Sequence, residues 1–209
     1  MILQNNQVPL QLSGPFGIIS KFEEFMNTKV EYPKFEYLKL DKRTRDLMCE
    51  EILRAKESDN IYFSTRFNEI GQKNWIRLLR TAAEQFDEHW LAFQLEMAGA
   101  MKHLKPQKKP WDYTLEYEPD SSIGILATGQ FNRFYMIAIC RRALEDNEQF
   151  VIVYRAKQRR EPREESQILE GTSRDANDLL QELRNKELCL KCEISRINSG
   201  LSLDYESLS

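Results

Sequence analysis

Residues 72–105 read QKNWIRLLRTAAEQFDEHWLAFQLEMAGAMKHLK, and Trp75, Leu79, Ala82, Phe86, Trp90, Phe93, Met97, Met101 and Leu104 recur in it at spacings of three and four. That period matches the turn of an α-helix and places nine mostly large apolar side chains on one stripe. Unbroken, the helix would run about 50 Å at 1.5 Å per residue. Few small domains use so long a helix. A break is therefore expected near Asp87 or near Gly99, where glycine costs about 1 kcal/mol relative to alanine. Leu78, Leu91 and Leu95 fall off the stripe, so burial should exceed one face.

Upstream, Asp41 is a good N-cap for a helix reaching about Lys56, because its carboxylate accepts first-turn amides that have no helical partner. Leu47, Met48, Glu51, Ile52 and Ala55 form its inward face, and Ser58-Asp59-Asn60 ends it. Residues 34–40 alternate in places like a short strand, separated by Pro33 from a helically spaced Phe22, Phe25 and Met26. Residues 1–20 read as an arm, punctuated at Gly14-Pro15 and Gly17 and more apolar than a solvated tail requires.

Downstream, residues 102–110 hold two prolines and four lysines, which stop a helix and make a linker. Beyond it the pattern predicts β-β-α-β-α-β. Strands are expected at 113–117, 123–127, 150–154 and 188–194, and helices at 131–146 and 175–186. Residues 155–170 are intensely charged and should form a loop with at most one helical turn. The expected architecture is α+β: an arm and irregular segment at 1–40, a long-helix helical region at 41–105, and a small mixed α/β sandwich at 111–209.

Composition bounds the function classes. Hydrophobic residues are 41% of the 209 and charged residues 30%, enough for a packed core. The net charge of −3 argues against a surface that tracks a nucleic-acid backbone throughout. No run of about 18 apolar residues would span a bilayer, and the N-terminus lacks the basic start and apolar stretch of a secretory signal. Four cysteines among mainly apolar neighbours fit a reduced, cytoplasmic setting or a particle assembled there.

Several constellations invite a chemical reading. Residues 124–133 resemble strand, glycine turn and helix start, so amides near Gly129, Gln130 and Asn132, with Arg133, would make an anion contact. The run lacks both the phosphate-loop lysine and the three-glycine dinucleotide fingerprint, so an ordinary turn is the plainer account. Arg155, Lys157, Arg159, Arg160 and Arg163 are basic, but Glu161, Glu164 and Glu165 interrupt them. Cys189 and Cys192 have C-x-x-C spacing without the second ligand pair that zinc requires. Glu84, Asp87, Glu88 and His89 lack the Glu-x-x-His spacing of bundle metal sites and read as exposed helix charge. No cofactor, metal or catalytic set is expected.

The resulting expectation is a non-enzymatic structural or interaction component of a larger protein assembly, such as a phage particle or another multi-subunit bacterial machine. Its partners would be other protein subunits, self or hetero, and it would not engage a membrane. Leu10, Leu12, Phe16 and Ile18 of the arm, with Trp75 and Trp90, are the expected interface. The second reading is a nucleotide- or nucleic-acid-binding protein using 124–133 and the basic run 155–163.

Overall fold

The computed structural model describes residues 35–102, 120–157, 162–195 and 199–206. The described residues form an α+β fold of seven helices and one three-stranded antiparallel sheet. In chain order these are α1 (Lys42–Glu57), α2 (Glu69–Gln85), α3 (Glu88–Met97), α4 (Asp120–Glu145), β1 (Phe150–Arg155), α5 (Glu164–Leu169), β2 (Ser173–Asp175), α6 (Ala176–Arg184), α7 (Lys186–Lys191) and β3 (Leu201–Asp204). Among the described residues no helix is long and apolar enough to cross a membrane. The arm residues, the 113–117 segment and most of the 102–110 linker lie outside the described residues.

Helix α1 starts as its sequence dictates, with the Asp41 carboxylate accepting the Thr44 amide at 3.0 Å. It ends in a Schellman turn: Asp59 adopts φ 53°, its amide reaches Lys56 O, and the Asn60 amide reaches Ala55 O at 2.8 Å. Within the described residues the apolar stripe that begins at Trp75 is carried by two helices. Phe86 and Asp87 are both extended, and the Asp87 carboxylate accepts the Trp90 amide at 2.9 Å to begin α3. Gly99, at φ 58°, closes α3 with the same Schellman pair, Gly99 N to Glu96 O and Ala100 N to Leu95 O. Both expected break points are therefore used, one to restart the helix and one to end it.

Helix α4 is the hub. It packs against α1, α2, α3, α6, β1 and β3, and every residue from Phe131 to Cys140 is buried. This overturns the expected strand at 123–127 and the glycine turn after it, since both lie inside α4. The enclosed middle of α4 keeps apolar residues all round and loses the amphipathic period, and the mostly apolar, partly buried start at Ile123 to Ala127 reads equally well as a strand. Gly129 meets no steric demand there, because an added Cβ would find nothing within 4 Å.

The sheet has the order β2-β1-β3, both pairings antiparallel, with Val151 opposite Arg174 and Val153 opposite Leu203. Val151, Val153, Leu201 and Leu203 are buried on the cluster that contains α4. The second overturned strand is 188–194. Asn185 accepts the Glu187 and Leu188 amides at 2.9 and 3.1 Å, which nucleates α7 instead, and the last strand comes at 201–204.

Residues 35–40 form no strand but are tied across the sheet end and α4. The Glu36 amide donates to Ala156 O at 2.8 Å, the Tyr154 hydroxyl to Glu36 O at 2.7 Å, and the Lys39 amide to the Tyr135 hydroxyl at 3.1 Å.

Candidate functional site

Of the residues nominated for an anion contact, Asn132 and Arg133 tie separate elements of the fold together. Gly129 and Gln130 sit within α4, where backbone amides are consumed by the helix ladder, so no amide nest exists. Buried Asn132 holds β3: its Nδ2 donates to Leu201 O at 2.9 Å, and its Oδ1 accepts from the Ser202 hydroxyl at 2.7 Å. Arg133 is 1% exposed and closes the end of α6, with Nε donating to Leu183 O at 2.9 Å and Nη2 to Arg184 O at 3.1 Å. Its Nη1 reaches Asn60 O at 3.3 Å.

The basic run is partly internal as well. Arg155 pairs with Glu170 at 2.7 Å and donates to Ser199 O and Ser166 O, while the Lys157 amide donates to Gly200 O at 3.0 Å. Arg163 is exposed just before α5. Residues 158–161 lie outside the described residues. Cys189 and Cys192 lie at the C-terminal end of α7 rather than on a strand, a position where the helix dipole disfavours a thiolate. Burial raises both thiols, and Cys140 with them. Glu88 and His89, expected as exposed helix charges, are buried, with Glu88 accepting the Phe35 amide at 3.2 Å. Among the described residues no group of three or more His, Cys, Asp or Glu side chains is placed to hold a metal ion.

The two tryptophans differ. Trp75 is fully buried, with its indole N–H donated to Tyr62 O at 2.9 Å and its ring 5.2 Å from that of Phe67, so it offers no surface to a partner. Trp90 is half-buried and stacked on Phe86, with centroids 4.4 Å apart and planes 6° from parallel. Phe86 is 38% exposed, and Met97, two turns beyond Trp90 on the same side of α3, is 58% exposed. Arm residues Leu10, Leu12, Phe16 and Ile18 lie outside the described residues.

A second feature was not nominated by sequence. A cleft of about 300 Å³ opens between α1, α4 and α6, lined by Glu51, Arg54, Arg133, Phe134, Ile137 and Arg184 among others. Glu51 is buried on the inward face of α1. It accepts Arg184 Nε at 2.9 Å and Nη2 at 2.6 Å as a two-point fork, and Arg141 Nη1 at 3.2 Å. Arg141 is held in turn by Glu50 at 2.8 Å. Arg54 reaches the rim with a side chain 61% exposed, 3.9 Å from Glu51. A glutamate at a core position of an amphipathic helix was the one signal available in the sequence; its partners lie 90 and 133 residues away.

No family model, curated protein or solved structure matches this chain. What the fold itself defines is an α+β class in which a central helix, buried throughout its middle, gathers four other helices and a small sheet.

Proposed function

We propose that the protein is a non-enzymatic interaction component of a protein assembly, and that the Phe86–Trp90–Met97 side of α3 meets the neighbouring subunit. The observation that supports this is the stacked Phe86–Trp90 pair continued by exposed Met97. Aromatic and methionine side chains are the types enriched at interface centres. Helix α3 buries Leu91, Ala92, Phe93 and Leu95, and Trp90 and Met97 carry its apolar surface beyond that buried side. The first partner to test is a second copy of the chain.

The test is the absolute mass of the untagged protein by light scattering over a concentration series. A mass above 24.7 kDa that rises with concentration, and reverts in a folded Met97→Glu variant, is the expected result. A strict monomer at every concentration would remove self-assembly through this face. Nucleotide or nucleic-acid binding through 124–133 has lost its geometric motive, because that segment is helix with its amides spent.

A further inference from the structure

The cleft between α1, α4 and α6 carries an unbalanced charge. Three guanidinium groups, Arg54, Arg133 and Arg184, line it against a single carboxylate, Glu51. Arg133 is the telling member. It is buried, and the bonds it makes run to carbonyl oxygens of Leu183, Arg184 and Asn60 rather than to any carboxylate. Burial accordingly lowers its pKa from the usual arginine value. A buried cation answered by carbonyl dipoles and by the Phe134 ring 5.4 Å away, with no carboxylate bonded to it, leaves a positive potential that an anion would relieve.

Donors remain to meet that anion. A guanidinium has five N–H groups; Arg133 commits one from each nitrogen, and Arg184 commits Nε and Nη2 to Glu51. The fork of Arg184 is fixed by Glu51, so the carboxylate offsets one of the three charges and at the same time positions Arg184. Arg54 is the adaptable member, held only by its 3.9 Å approach to Glu51.

We propose that this cleft binds the phosphate group of a small phosphorylated molecule. The excess of two positive charges matches a phosphate dianion, and planar guanidinium forks match its oxygens. The volume lies at the small end of the range for ligand sites, which suits a phosphate with a short polar body rather than a whole dinucleotide. Ser58, Asn60 and Gln181 at the edge supply hydroxyl and amide groups for such a body. The site shares only Arg133 with the contact that the sequence suggested, and it does not depend on the α3 face.

Isothermal titration of the full-length protein with inorganic phosphate, and separately with glycerol 3-phosphate, at constant ionic strength tests the proposal. Saturable one-to-one binding is expected, weakened about tenfold by Arg54→Ala, whose exposed side chain leaves the fold intact. Arg184→Lys keeps the charge but loses the fork and should weaken binding as well. Tighter binding of glycerol 3-phosphate identifies a phosphate monoester as the ligand, whereas equal affinity identifies free phosphate. Absence of saturable binding to either, or an Arg54→Ala variant that binds like the parent, overturns the site.

Discussion

The C-terminal ends of α2 and α6 solve one problem with one residue type, and they end differently. Helices α1, α3 and α4 finish with a left-handed residue, Asp59, Gly99 and Asn147, whose turn satisfies the last carbonyls. Neither α2 nor α6 does so; their caps, Phe86 and Asn185, are extended. Each borrows an arginine from another helix. Arg45 of α1 donates through Nη1 to Ala83 O at 2.9 Å and Phe86 O at 2.8 Å, as Arg133 of α4 does for Leu183 and Arg184. Burial lowers the pKa of both, but the Asp87 carboxylate opposes the effect at Arg45 and no carboxylate does so at Arg133. One corner is half-exposed and charge-compensated; the other is buried and borders the cleft with no carboxylate bonded to its arginine. The same capping chemistry is therefore inert or available for binding according to what surrounds it.

Replacing each arginine measures that contrast. Arg133→Met should destabilise the protein by about 3 kcal/mol, because carbonyls of Leu183, Arg184 and Asn60 lose a charged donor where water enters poorly. A urea-denaturation shift below about 1 kcal/mol would erase the difference between the corners. Arg45→Met should cost only about 1 kcal/mol by the same assay, since water reaches its half-exposed carbonyls.

The opposite helix ends sharpen the comparison. Asp175 caps α6 by accepting the Asn177 and Asp178 amides at 2.9 and 3.0 Å, whereas α2 is capped by the non-titrating Asn68 through Gly71 N at 3.0 Å. The Asp178 amide, first among its causes, lowers the Asp175 pKa. A depressed folded pKa contributes stability above the unfolded value of about 3.9 that is lost as pH falls through the lower folded one. Below about pH 4, amide exchange should therefore quicken at Asn177 and Asp178 while that of Gly71 keeps its protection. Equal responses at the two ends would show that Asp175 contributes nothing as an anion.

Local chemistry was legible wherever a side chain acts on its own neighbours. Asp41 announces a helix start, the breaks expected near Asp87 and Gly99 fall where α3 begins and ends, and Phe150-Val151-Ile152-Val153-Tyr154 reads as a strand because its side chains suit a pleated, half-buried surface. Legibility failed where tertiary burial decided. Residues 123–130 became helix as the first turns of α4, whose packing against four other helices and the sheet weakens the periodicity that would have announced it. Residues 188–191 became helix through the Asn185 cap, despite a strand-like mix of apolar and polar residues. The cleft was illegible for a simpler reason. Its arginines come from three helices distant in sequence, and only Glu51, a charge on an apolar face, hinted that a partner must exist.

The polar ties that close this molecule also bear on how fast it can form. Lys39 Nζ bonds Tyr205 O across 166 positions, Glu51 grips Arg184 across 133, and Asn132 reaches Leu201 across 69. Chain-closure entropy has to be spent before any of these contacts returns free energy. A chain this rich in helix would be placed by content alone among fast folders, yet ties of such sequence separation are the kind that slow folding. Its helices are free to appear early, but they gain their permanent neighbours only when the segment around Leu201–Tyr205 comes back to β1 and α4.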